Sequence, residues 1–248
     1  MFKITKLYFL IIFVSYCMQT NAQYFVSIES GVAFTGLNDI RKGSDGTLLS
    51  LKNDLKSPTS PFLRLRFGLL HNEKHLFSLL YAPLKLTATG SLSSNIIYDG
   101  INYEANLPLE AVYKFNSYRF TYNYRIINTN TFKFGLGLSA KIRDAGSSLR
   151  NSNQFSEDFN AGFVPLINIL TTWQVSKKFG FELFGDALGA RQGRAIDVAL
   201  TTTYNFTESV QGNLGYRILD GGSDGTSSYN FVQFHFAVVS LTYQFKKK

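Results

Sequence analysis

Three histidines, one cysteine and a crowd of arginines and aspartates are the side chains of this sequence that could do chemistry. His71 and His75 stand four residues apart, a spacing that on a helix would aim two imidazoles at one metal ion. In a turn between strands it does not, and no carboxylate motif of the metalloprotease kind accompanies them, so both read as solvated turn residues. His235 becomes a candidate base only if the fold brings it a partner. Cys17 is the one cysteine and falls in an apolar N-terminal stretch, which leaves the rest of the chain without a thiol for a disulfide, a nucleophile or a metal site. No cofactor and no metal is expected. Asp186, Arg191, Arg194, Asp197, Arg217 and Asp220 lie towards the outer ends of three segments predicted to be neighbouring strands, and could form a single charged cluster at that rim. That cluster reads either as a network tying short loops together or as a small anionic-ligand site, because guanidinium forks match carboxylate and phosphate. Gly43-Ser44-Asp45-Gly46 recurs at residues 222 to 225, without the spacing of a calcium loop, and both copies read as turns.

The elements that would have to position these groups are strands. Apolar residues recur with period two, and turn residues separate the runs. Phe132, Phe134, Leu136, Leu138, Ala140 and Ile142 alternate with Lys133, Gly135, Gly137, Ser139, Lys141 and Arg143. Tyr24, Val26, Ile28, Val32 and Phe34 do the same against Ser27, Glu29, Gly31, Ala33 and Thr35. Applied along the chain, the pattern predicts ten strands, at about 24–35, 62–70, 75–89, 109–127, 132–145, 162–175, 179–190, 195–206, 209–220 and 231–245. Pro83 should interrupt the third, and a bulge is expected at Asn116-Ser117 in the fourth.

The connections alternate in length. Residues 71–74, 128–131, 176–178 and 207–208 are short, whereas 36–61, 90–108 and 146–160 are long; only 191–194 breaks the contrast by being short as well, and 221–230 is Gly-rich. An even strand number, short turns on one rim and longer loops on the other describe an all-β, closed, antiparallel, up-and-down transmembrane β-barrel of the bacterial outer-membrane kind. Aromatic residues give an independent indication. Tyr24, Tyr122, Tyr124, Phe132, Trp173, Phe179, Tyr204 and Tyr243 all fall on the apolar face near short-turn ends, where a barrel carries its interfacial girdle. A soluble barrel or sandwich would instead hide such residues between sheets. Disorder is excluded by the 45% hydrophobic content.

Residues 1–22 read as a cleavable signal peptide: Lys3 and Lys6, an apolar run from Leu7 to Met18, then Thr20-Asn21-Ala22. An uncleaved anchor and lipoprotein processing at Cys17 are the alternatives, disfavoured by the short run and by bulky Tyr16. The barrel domain is then 23–248, exported to the outer membrane of a Gram-negative bacterium. Basic residues are scattered singly along it rather than clustered, so nucleic acid is not an expected partner.

Val239-x-Leu241-x-Tyr243-x-Phe245 resembles the C-terminal signature of outer-membrane barrels, although three lysines follow it here. Tyr81-Ala-Pro-Leu84, Phe115-Asn-Ser-Tyr-Arg119, Ala140-Lys-Ile-Arg-Asp-Ala145, Gln192-Gly-Arg-Ala195 and Gly215-Tyr-Arg217 resemble stretches of a bacterial outer-membrane barrel family to which no activity is assigned. The resemblance covers most of the chain. It implies a fold, outer-membrane lipid as surroundings, and barrel-assembly machinery as a partner through the last strand. It implies no chemistry.

On this assignment ten basic residues point inward: Arg64, Arg66, Lys85, Lys114, Arg119, Arg125, Lys133, Lys141, Arg143 and Arg217. Glu29, Glu110, Glu182, Asp186 and Asp197 join them. In a narrow lumen these must pair or meet a large desolvation cost. Three functional readings stay open: a filled barrel with a structural or surface-interaction role, its surface ligand unknown; an outer-rim hydrolase of envelope lipid or peptide; and a narrow anion-conducting channel.

Overall fold

The computed structural model describes residues 22–191 and 193–246. The predicted leader lies outside the described residues except for Ala22. Period-two sequence becomes strand throughout. Among the described residues there are fourteen strands: β1 (Ala22–Lys42), β2 (Leu49–Ser50), β3 (Ser60–His71), β4 (His75–Ala82), β5 (Lys85–Gly90), β6 (Ile96–Tyr98), β7 (Ile101–Tyr103), β8 (Leu109–Asn128), β9 (Phe132–Arg150), β10 (Phe155–Gln174), β11 (Phe179–Ala190), β12 (Gly193–Asn205), β13 (Val210–Asp224) and β14 (Ser228–Gln244). β4 and β5 are two halves of one staggered strand, parted at Pro83, which has no N–H to give the ladder.

Counted that way, ten antiparallel strands form the wall in chain order, and β14 pairs with β1 to close it. The closing seam runs from Phe25 opposite Gln244 to Lys42 opposite Ser228, with a bulge between Thr35 and Leu37. Gly31 makes the seam possible. Its φ is +143°, and a Cβ there would stand 2.0 Å from the Ala237 carbonyl oxygen. The bulge predicted at Asn116-Ser117 is absent, because β8 and β9 keep one register there; the shift falls at Arg125/Ile127 instead.

The outward face carries an unbroken apolar band. Leu138 and Phe163 are each 68% exposed, and Ile28, Leu79, Leu200, Leu214 and Leu241 stand out beside them. A water-facing wall would not leave these side chains uncovered on every strand. Aromatic clusters edge the band at the short-turn rim, where Phe179 meets Tyr204 at 4.8 Å, Tyr204 meets Phe206 at 5.0 Å, and Trp173 lies 6.0 Å from Phe181. His75 belongs to this girdle: its ring lies 5.2 Å from Tyr124, and Nδ1 is 3.0 Å from the Tyr122 hydroxyl. That corrects its reading as a solvated turn residue.

At the opposite end the strands run well past the band. The stretch expected as a long loop at 146–160 is strand: β9 and β10 stay paired from Arg150–Phe155 downward, and only residues 151–154 turn. The other two long loops fold inward as a lid. Leu49, Leu51 and Leu55 of one, with Ile96, Tyr98 and Tyr103 of the β6–β7 hairpin, bury themselves in the barrel mouth against Phe62, Tyr113, Phe115, Phe234 and Phe236. Asp99 and Gly100, at φ of 52° and 73°, supply the paired left-handed residues that a two-residue hairpin turn requires.

Candidate functional site

Below the lid the lumen is crossed by ion pairs. The inward parity of β1, β3, β8, β11, β12 and β13 brings Glu29, Arg64, Arg119, Asp186, Asp197 and Arg217 to one level of the lumen. Arg119 sends Nη1 to Asp186 Oδ2 at 2.7 Å and Nη2 to Asp197 Oδ2 at 2.5 Å. Arg64 Nη2 donates to the same Asp197 oxygen at 3.0 Å, and its Nε lies 3.2 Å from Glu29 Oε1. Arg217 holds Glu29 with two parallel bonds of 2.9 and 2.8 Å and reaches Asp197 Oδ1 at 2.6 Å.

Three guanidiniums thus face three carboxylates, and on Asp186 neutral donors meet the oxygen that no arginine reaches. Asp186 Oδ1 accepts from Ser139 and from Asn168, both at 2.8 Å, and Asn123 donates to Asn168 Oδ1 at 2.8 Å. Burial this complete is tolerated only because each charge has partners. Lys141, paired across the β8–β9 ladder with Arg119, is buried beside the network with its ammonium 4.7 Å from the Phe115 ring.

The network is a ceiling. Between it and the short-turn rim lies a cavity of about 690 Å³ whose mouth is lined by Lys177, Lys178, Thr207 and Glu208. Arg66, Arg125, Lys133 and Glu182 line its walls. Arg66 rests 4.3 Å above the Phe184 ring. Above the ceiling the lumen is filled by the apolar side chains of the lid and upper wall.

Several sequence expectations change. Lys85, Lys114 and Glu110 face outward, not inward, because alternation runs uninterrupted from Leu109 to Asn123 with the odd residues inside, and Leu84 and Leu86 take the inward positions around Lys85. Lys114 pairs with Asp144 at 2.8 Å on the outer wall above the band. Hydrogen bonding to Lys114, then to Asn116, holds the Asp144 carboxyl below its usual range, and the same bond raises the ammonium. Arg143 faces the lumen side but bonds Asn160 at 2.5 Å, away from the central network.

The six-residue rim cluster divides in two. Asp186, Asp197 and Arg217 are buried at mid-lumen, while Arg194 and Asp220 point outward and pair with each other near the rim, where Gln233 Nε2 also donates to Asp220 at 3.0 Å. Arg191 is exposed and joins neither group. His235 faces outward. Its Nδ1 bonds the Tyr216 hydroxyl, and Nε2 lies 3.2 Å from Gln233 Oε1, partners that strand pairing supplies and sequence order hides.

A closed ten-stranded antiparallel barrel with a girdled apolar band is the fold of bacterial outer-membrane barrel proteins. A solved outer-membrane barrel shares it. The outer membrane protease OmpT from Escherichia coli matches with a TM-score of 0.52 at 10% identity, over 92% of this chain and 97% of that one. The translocator domain of the autotransporter NalP from Neisseria meningitidis gives 0.45 at 12% identity, over 94% and 93% of the two chains. Ail of Yersinia pestis gives 0.39 at 12% identity, over 91% and 100%. The sequence matches no protein-family model and no curated protein.

Proposed function

We propose that this protein is an outer-membrane barrel with a sealed lumen, exported by its N-terminal leader, inserted through its C-terminal strand and set with the short turns in the periplasm. Its role is structural or surface-interacting, and the folded lid with the β9–β10 extension forms the part offered outward. The observation that carries this reading is the closure of the lumen in two layers. The arginine–carboxylate network lies across the barrel, and the apolar lid lies above it. Barrels of about eight strands are filled by side chains, and aqueous channels open at about sixteen. A barrel of ten strands so filled supports a wall-like protein over a pore.

Planar-bilayer recording tests this. Purified protein should add no steady conductance, either as the wild type or as Arg66→Gln. Stable anion-selective steps that fall on neutralising Arg64, Arg66 or Arg119 would overturn the reading in favour of a channel.

A further inference from the structure

We propose that the cavity under the ion network is a binding pocket, open to the periplasm, for a small amphiphilic organic anion. The side it opens to rests on the orientation proposed above; the pocket itself does not. Its volume of about 690 Å³ lies in the range of small-molecule sites, and its sealed ceiling makes it a dead end rather than a passage.

Charge selects the class of ligand. Seven basic and three acidic side chains line the space. Arg64, Arg217 and Glu29 are committed to the ceiling, which leaves Arg66, Arg125, Lys133, Lys177 and Lys178 against Glu182 and Glu208. Among the described residues Arg66 has no carboxylate within ion-pair distance, and it is held in place by the face of Phe184. A positive excess inside low-dielectric walls draws anions in and concentrates them. The walls themselves differ. Leu70, Leu76 and Leu80 of β3 and β4 offer an apolar side, while Thr201, Thr203 and Thr242 of β12 and β14 offer hydroxyls. A carboxylate or phosphate bearing a short apolar body meets both, its anion on Arg66 and its body on the leucines.

The chain has a single cysteine, so the pocket can be probed with an introduced thiol. In a Cys17→Ser background held in zwitterionic nanodiscs, Ser240→Cys places a thiol on the pocket wall and Asn153→Cys places one in an exposed turn at the opposite end of the barrel. The probes are 2-sulfonatoethyl methanethiosulfonate, an anion, and its trimethylammonium counterpart, a cation. The anion-to-cation rate ratio should be about tenfold higher at Ser240→Cys than at Asn153→Cys. Arg66→Gln with Lys133→Gln should lower it at least threefold at the pocket only, and Glu182→Gln should raise it. Added 4-phenylbutyrate should slow modification of Ser240→Cys, and neutral 4-phenylbutanamide should not.

Equal ratios at the two thiols, indifference to Arg66→Gln, an inert Ser240→Cys or equal protection by the amide would each overturn the proposal. Retained heat-shifted gel mobility keeps a misfolded variant from passing as a negative. These rates do not depend on which compartment the mouth faces, so failure of the orientation would move the pocket to the other side of the membrane without removing it.

Discussion

Arg119 and Asp197 stand four strands apart around the wall, on β8 and β12, yet their side chains meet at 2.5 Å in the middle of the lumen. The contact belongs to no hairpin. It forms only when the sheet has curled and closed, which makes the network a product of the barrel as well as a tie across it.

Removing Arg119 should therefore be costly. Arg119→Gln leaves Asp186 and Asp197 buried with fewer partners, and a loss of about 3–5 kcal/mol is expected. Lys85→Gln, on the outer wall, should stay within about 0.5 kcal/mol. Urea unfolding in lipid vesicles, followed by the fluorescence of the single tryptophan, Trp173, separates the two.

The two faces of the wall can be told apart by charge. Leu138 points into the apolar band, so Leu138→Arg should cost about 2–4 kcal/mol in the same assay. Thr172 is half-buried and lines the open cavity opposite Glu182 on the β10–β11 ladder, and Thr172→Lys should be tolerated with little change.

Gly31 fixes the closing seam. Gly31→Ala would drive a Cβ into the Ala237 carbonyl in a backbone conformation that alanine avoids, and should destabilise by more than about 1 kcal/mol. Gly162→Ala meets open space and should not. The temperature at which the compact gel band disappears is the readout.

The lid hangs on two tyrosines. Tyr98 donates to the Ser147 carbonyl at 2.8 Å, and Tyr103 donates to the Leu149 carbonyl at 3.1 Å. Each Tyr→Phe change should weaken the lid by about 1 kcal/mol, seen as faster proteolysis between residues 91 and 108 without loss of the barrel. Burial pushes the Tyr98 phenol above its ordinary value of 10.0. The folded lid thus keeps a proton that a released tyrosine gives up. Lid docking should be insensitive to this group below about pH 10 and weaken above it, so proteolysis should quicken as the pH rises from about 10 upward in the wild type and less in Tyr98→Phe.

Much of the barrel was legible in the sequence because lipid on one side and a packed lumen on the other enforce period two. All ten wall strands, the break at Pro83 and the inward placement of Arg64, Arg119, Asp186, Asp197 and Arg217 follow from it. Legibility ends where the band ends. Past Ile142 the alternation of β9 gives way to a continuous buried run over residues 145–149, so Gly146, Ser147 and Ser148 look like loop while forming a ladder. The supposed rim cluster failed on parity. Arg194 and Asp197 differ by an odd number of residues, as do Arg217 and Asp220, so neither pair can share a face. That Arg119 finds Asp197 depends on the curvature and stagger of the closed sheet, which no local pattern records.

Orientation and location are tested together by labelling intact cells with a membrane-impermeant maleimide, followed by membrane fractionation. Asn153→Cys lies in the exposed turn between β9 and β10, and Ser176→Cys lies in a short turn at the other end. The expected result is labelling of Asn153→Cys in whole cells and of Ser176→Cys only after the outer membrane is opened, with both proteins in the outer-membrane fraction. Labelling of Ser176→Cys in whole cells, or recovery of either protein as a soluble species, would contradict a sealed outer-membrane barrel that turns its lid outward.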